Sequence, residues 1–528
     1  MKDIKLEFEP RPQQTEILEF VKKSIDSEHK FSIIDAPTGV GKSYAAVMIA
    51  DWYVREINKE ARITVLTNSK ILQDQYIKDF DFMSSLKGNN NYFCKKNSMP
   101  CGESKILNKA KGTRCTLCPH TIAQSRFIKE RVSLTNYHLI TAYSIYSPEI
   151  LADRHANLLI VDEAHSFEET FCDFISSTFS ERSLTLLEIW EPWMESDLDG
   201  ISTIKELANY VKKIIIPRLQ HNISTYIEQA KFTRSRKKKT DFIKKADHCD
   251  KSMCKYNRFI NDEDNYSKNW VFEKDLDYKG SPRILVEPIW GRQYLKETFW
   301  DKYDHVIFMS GTILDPKIFT FLMGIESDKW TYLDLPCPFK EENRPIIYVK
   351  FGKMSYYDKK DTFKRAIPII KKILEKNENN KGIIHSGNYE LNGWIKNSIH
   401  DPRLLIHDPS TREESLIEHL KTGDKTVLVS PSMMSGIDLK DDFSRFQIIL
   451  KIPFPNLMSS KIKKRLETYP DWYNWKTLVE VMQAYGRSIR NDEDWAETYI
   501  LDSCFDQVIR SSKAPQYFLR ALKTKKLN

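Results

Sequence analysis

Short apolar runs separated by amphipathic stretches set the pattern of this chain. FSIID (Phe31–Asp35), ITVLT (Ile63–Thr67) and LLIVDEAH (Leu158–His165) each carry a strand-length apolar run. Strands buried on both faces read this way, and helices between them imply a mostly parallel sheet. A helical stretch is predicted from Ser43 to about Glu56. From about Phe171 to Arg283 the period changes. SLTLLEIWEPWMESDL, TIKELANYVKKIIIPRL and STYIEQAKF carry the spacing of amphipathic helices, and RSRKKKTDFIKKADHCDKSMCK adds dense positive charge. This region reads as a helical insertion. Strand–helix alternation returns at HVIFMSGT (His305–Thr312). A second set starts near Pro345, with strands predicted in KGIIHSG (Lys381–Gly387), TVLVS (Thr426–Ser430) and FQIILKIPF (Phe446–Phe454).

The turn after the first run is APTGVGKS, spanning Ala36, Pro37, Thr38, Gly39, Val40, Gly41, Lys42 and Ser43. Backbone N–H groups of such a turn, and the helix N-terminus behind it, face a phosphate. Lys42 would reach the β and γ phosphates, and the Ser43 hydroxyl would hold Mg²⁺. Ala36 stands where the strict pattern has glycine. Asp162 and Glu163 end the third run. Asp162 suits Mg²⁺, and Glu163 is placed to polarise an attacking water. A chance turn and a surface acidic pair are the plain alternatives. Delivery of both carboxylates to the C-terminal edge of a sheet favours nucleotide hydrolysis. Late in the chain, QAYGRSIR puts Gln483, Arg487 and Arg490 at spacings of four and three, one face of a helix. Guanidinium groups on that face would clamp a triphosphate. The second set also has its own turn, Gly436-Ile437-Asp438.

Length allows three or four domains at about 150 residues each. A hydrophobic fraction of 41% and a charged fraction of 29% describe a globular chain, excluding collagen-like and mostly disordered classes. The net charge of +8 permits a polyanionic partner without requiring one. No run has the roughly 20 apolar residues of a membrane span, and MKDIKLEFEPRPQQ lacks the apolar core of a signal peptide. The expected location is the cytoplasm, on the nucleoid in a prokaryotic or viral setting, or the nucleus in a eukaryote.

Four of nine cysteines crowd into one segment: Cys94, Cys101, Cys115 and Cys118, spaced C-x6-C-x13-C-x2-C. In a reducing compartment this argues for a metal site. Four thiolates suit Zn²⁺ or a [4Fe–4S] cluster, and spacing does not separate them. Lys87, Lys95, Lys96, Lys105, Lys109, Lys111 and Arg114 flank the cysteines, a basic surface suited to a phosphate backbone. Tyr92 and Phe93 could stack on a base or pack the segment's small core.

The order APTGVGKS, DEAH, SGTI, SGIDL and QAYGRSIR resembles a superfamily 2 helicase, and within it the iron–sulfur DNA helicases of the XPD/DinG family. RPQQ (Arg11–Gln14), LKGNNNYFC (Leu86–Cys94), TNYHLI (Thr135–Ile140), CPFKEENR (Cys337–Arg344) and KIPFPN (Lys451–Asn456) match as well. The resemblance implies an α/β fold with two RecA-like motor domains. The first motor would span 1–86, 125–170 and 284–335, interrupted by an iron–sulfur domain at 87–124 and a helical arch-like domain at 171–283. The second would span 336–528. It further implies ATP hydrolysis at Lys42, Ser43, Asp162, Glu163, Asp438, Gln483, Arg487 and Arg490, with Gln14 reading adenine. Thr67, Asn68 and Gln73 would contact DNA, and Ser310-Gly311-Thr312 would couple the two ligands. The cysteines would hold [4Fe–4S]. The implied activity is 5′–3′ unwinding by a monomeric motor on single-stranded DNA and duplex junctions. A single-strand-stimulated translocase that displaces proteins or R-loops is the alternative. Ser435 stands where the family often has Glu.

Overall fold

The computed structural model describes residues 4, 6, 8–96, 98–110, 117–277, 280–433, 439, 441–486 and 494–526, with backbone alone at 106–110, 236, 441 and 526. Two seven-stranded sheets, each wholly parallel, carry the molecule. The first runs Trp330–Asp334, Phe31–Asp35, His305–Ser310, Leu158–Asp162, Ile63–Thr67, Val132–Asn136 and Ser84–Ser85 across its width. The second runs Leu404–Ile406, Val427–Ser430, Gly382–His385, Phe446–Ile449, Glu497–Ile500, Ile346–Lys350 and Leu522–Lys526.

The apolar runs form strands because both faces are covered. Every residue of Phe31–Asp35, Ile63–Thr67 and Leu158–Asp162 is buried. Separate apolar cores lie on the two faces of the first sheet: Ile33 and Leu159 point into one, Ile34 and Ile160 into the other. This is the period-two alternation of a strand covered on both sides. The helix after the phosphate loop, Lys42–Trp52, ends in a π-helical turn over Tyr53–Ile57.

The region read as a helical insertion is not helical throughout. Strands Ser177–Phe179, Pro282–Pro288 and Trp270–Leu276 pair in that order as an antiparallel sheet. They draw the two ends of the insertion together. Pro282–Pro288 alternates between buried and more exposed positions, so its apolar signal is half that of the parallel strands. Beyond them the region is helical. Its longest helix, Arg236–Ile260, packs against Ile216–Phe232 and against Cys101–Ala110 of the cysteine segment. Lys244 and Glu103 pair there at 3.2 Å. No described helix is long and apolar enough to cross a membrane.

Candidate functional site

The phosphate loop leaves its strand at Ala36 and turns through two glycines with left-handed φ, +93° at Gly39 and +83° at Gly41. Both also need the absence of a side chain. A Cβ on Gly39 would lie 2.0 Å from the Phe339 ring, and one on Gly41 would lie 2.3 Å from Gln14 Nε2. The loop is braced from the first helix. Arg11 Nη1 donates to the Gly39 carbonyl at 2.8 Å, and Gln14 Nε2 donates to the Val40 carbonyl at 3.1 Å. Gln14 is buried, and its Oε1 accepts from the Arg11 backbone N–H at 2.9 Å. Its amide is thus engaged with the loop.

Lys42 Nζ donates to the Ala36 carbonyl at 3.1 Å and lies 3.9 Å from Glu163 Oε1. The end of the strand Leu158–Asp162 brings both acids to this point. Asp162 is buried, and both carboxylate oxygens are engaged: Oδ1 accepts from Glu163 N at 3.0 Å, Oδ2 from the Tyr76 hydroxyl at 2.9 Å. The Tyr137 hydroxyl donates to the Asp162 carbonyl. Burial, and then the Glu163 charge, push the Asp162 carboxyl up to about 6. Glu163 sits at φ +59°, a left-handed conformation strained for a side-chain residue. His165 Nδ1 lies 3.4 Å from Glu163 Oε2 and 2.8 Å from Ser310 Oγ.

Ser310-Gly311-Thr312 touches the phosphate loop, His165 and the second domain's Gln483. The Ser310 carbonyl accepts from Ala36 N at 2.7 Å. Gly311 lies against the Ala36 and Pro37 backbone. Thr312 Oγ1 accepts from Gln483 Nε2 at 2.8 Å. Gln483 comes from the second sheet's helix Pro470–Tyr485. A cleft of about 680 Å³ is shared by the loop, both acids, Thr312 and Gln483. Arg487, Arg490 and Asp438 lie outside the described residues.

Thr67 and Gln73 are placed inside the molecule. Both are fully buried, and Gln73 Nε2 donates to Ser85 Oγ at 2.8 Å and to the Leu86 carbonyl at 2.9 Å. The reading of these two as DNA contacts is therefore corrected: Gln73 braces the edge of the first sheet, and the Thr67 hydroxyl donates to the Ser69 carbonyl at 3.1 Å. Asn68 lines the cleft.

Cys94, Cys101 and Cys118 are buried together with Tyr92 packed on them, and Cys115 lies outside the described residues. Among the described residues, no three His, Cys, Asp or Glu side chains are set to hold a metal ion. The chemistry of the donors nevertheless fits one. Burial opposes the Cys118 thiolate. Hydrogen bonds from the Thr121 hydroxyl and N–H and from Cys101, with the Lys105 charge, outweigh burial and lower the thiol. The aromatic pair divides: Tyr92 packs inward, edge-on to His120 at 5.4 Å, while Phe93 is exposed.

Sequence reasoning missed Tyr76, Tyr137 and Arg344, which also lines the cleft. Arg344 at least lies in the CPFKEENR segment.

A phosphate loop and paired carboxylates on one parallel sheet, facing a glutamine helix of a second, define a two-domain nucleotide-driven motor. Comparison with known proteins narrows this. Residues 385–525 match the helicase C-terminal domain family, and residues 7–190 match the type III restriction enzyme res subunit family. A probable ATP-dependent helicase of Methanocaldococcus jannaschii is 21% identical over 90% of this chain and 88% of its own. The ATP-dependent DNA helicase YoaA of Escherichia coli is 19% identical over 94% and 92%. The ATP-dependent DNA helicase XPD of Sulfolobus acidocaldarius is 21% identical over 78% and 76%. In fold, a solved XPD helicase superposes with a TM-score of 0.63 at 14% identity, covering 99% of this chain and 100% of its own. The chain is thus similar in sequence to ATP-dependent helicases, YoaA and XPD among them, and shares the fold of the XPD helicases.

Proposed function

We propose that the chain hydrolyses ATP in this cleft and uses it to move 5′ to 3′ along single-stranded DNA, opening duplex at forks. One observation carries the reading: Lys42, Asp162 and Glu163 of one sheet and Gln483 of the other converge on a single cleft. Lys42 binds the β and γ phosphates. Ser43 and Asp162 would hold Mg²⁺, which neutralises phosphate charge when bound. Each Asp162 oxygen keeps a second lone pair for a metal-bound water. Glu163 takes the proton of the attacking water. Its strained backbone keeps the carboxylate in the cleft beside Lys42. Gln483, bonded to Thr312, ties the second domain to the nucleotide's state, and Arg487 and Arg490 stabilise charge on the transferring phosphoryl group.

DNA as substrate is supported by the DNA helicases among the relatives. Cys94, Cys101 and Cys118, with Cys115, would hold a [4Fe–4S] cluster, a covalent staple for a small domain beside the duplex. The direct test is unwinding of forks with a single 5′ or 3′ overhang, beside ATPase assays with and without single-stranded DNA. ATP-dependent opening of the 5′-tailed substrate is expected. Preference for the 3′-tailed substrate would overturn the polarity. ATPase without unwinding of either would favour the translocase.

A further inference from the structure

Among the described residues, Arg344 is a charged side chain at this cleft with buried donors left unbonded. It is 4% exposed. Nη1 donates to Cys337 Sγ at 2.7 Å, but Nε and Nη2, both buried, have no hydrogen-bond partner among the described residues. The guanidinium lies over two rings, 5.0 Å from Tyr517 and 5.8 Å from Tyr485. The Tyr485 hydroxyl donates to the Arg344 carbonyl at 3.2 Å. Glu341, three residues before it, is paired with Arg520 at 2.8 Å. Buried donors left unbonded are unfavourable, and more so on a charged group. A ligand that accepts from them would remove that penalty.

The surroundings choose the ligand. Lys42, Ser43 and the loop N–H groups already serve the phosphates. Arg344 instead sits with Phe339, Tyr485 and Tyr517 at the cleft wall. Phe339 stands against Gly39, next to the Arg11 brace. Gln13 holds this wall to the first helix through the Pro336 carbonyl at 2.8 Å. Aromatic walls suit a flat heterocycle better than a hydrated phosphate. A guanidinium offers donors only, so its partner must be an acceptor on the ring edge. The Gln14 amide, the sequence's candidate for the base, is committed to the loop.

We infer that Arg344 is the base-recognition residue of the cleft, donating from Nε and Nη2 to a ring nitrogen of the adenine. This rests on the cleft being the ATP site.

The test is equilibrium binding to the intact protein of ATP, of 1-deaza-, 3-deaza- and 7-deaza-ATP, and of inorganic tripolyphosphate. At least one deaza analogue should bind about tenfold more weakly than ATP, the scale of one hydrogen bond to a charged group. In R344M, ATP should lose the same factor, the weakened analogue should lose no more, and tripolyphosphate should be unaffected. Equal binding of all three analogues and ATP to the wild type overturns the assignment, and this arm needs no variant to fold. So does a variant that weakens tripolyphosphate as much as ATP, which would make Arg344 a phosphate ligand. A wild-type protein that binds no ATP would instead defeat the reading of the cleft itself.

Discussion

At the residue scale, the letters of the phosphate loop and the acidic pair each lie in a contiguous segment with its own local geometry. APTGVGKS must follow a strand and open a helix, and it does. The residues that tune those letters were not legible, since their meaning arises only when distant segments meet. Tyr76 is the clearest case. Nothing in its helix, Lys70–Asp79, marks it, yet its hydroxyl bonds the buried Asp162 carboxylate across 86 positions of sequence. That bond favours the charged carboxylate, and burial opposes it. In Y76F the Asp162 pKa therefore rises further. If ATP hydrolysis needs Asp162 ionised, the acid limb of the ATPase pH profile moves to higher pH. An unmoved limb would make Tyr76 a packing residue. Lys42 sets the upper bound of such effects. K42A should lower phosphate release by about 10² or more, the scale of losing a group aimed at developing charge, while single-stranded DNA binding persists.

At the element scale, the apolar runs found most central strands and missed the edges and the interior strands Val132–Asn136 and Glu497–Ile500. Leu522–Lys526 is LKTKK, polar by composition, and is a strand because Ile346–Lys350 offers it an open ladder. The helices between domains carry a connection equally invisible in sequence. Phe167–Ile175 directly follows the DEAH turn, and Pro470–Tyr485 carries Gln483 at its far end. Arg465 Nη2 and Glu168 Oε1 pair at 2.8 Å with both side chains nearly inaccessible, and Arg465 lies over the Trp290 and Trp472 rings at 4.5 and 5.0 Å. Lys476 meets Glu169 at 2.7 Å beside them. Movement of the second domain must therefore pull on the helix behind Glu163. Without Arg465 the buried Glu168 carboxylate keeps the Gly291 N–H and the Cys172 thiol but loses its countercharge, so R465M should destabilise this interface by about 3–5 kcal/mol, and adding E168M should recover part of it. Urea unfolding of both single variants and the double variant measures the coupling. Glu169 gives the pair a pH signature. The Lys476 charge holds its carboxyl down to about 2 from the ordinary 4.5. A depressed carboxyl contributes stability above its unfolded value, so the contribution is full above about pH 4.5 and is lost as pH falls toward 2. K476M should flatten that part of the stability curve.

At the scale of the whole molecule, the cysteine segment joins the motor to the helical insertion. It leaves the first sheet after Ser84–Ser85 and returns at Val132–Asn136, neighbouring strands of one edge. Between them it packs against the helix Arg236–Ile260. Among its described residues the apolar core is three cysteines and a tyrosine, little buried area for a unit of this size, which favours a staple. The ATP cleft lies in other elements, contacting neither the cysteines nor that helix. Loss of the staple should then separate two activities that share one chain. C115S should lose iron and labile sulfide, keep the basal ATPase of the wild type within about twofold, and lose fork opening by at least tenfold, since only binding energy realised at the junction is removed. Iron, sulfide and zinc are counted on protein purified without oxygen, and both rates are measured on that same sample. Wild-type unwinding by protein that carries no metal would show that the segment folds on its few contacts alone. Stoichiometric zinc in place of iron would keep the staple and change only its chemistry. Parallel loss of ATPase and unwinding would mean that the segment's fold is felt through Tyr92 and Lys87 at the sheet edge, where the Tyr92 hydroxyl accepts from Lys87 N at 3.1 Å and Lys87 pairs with Asp74 of the helix that carries Tyr76.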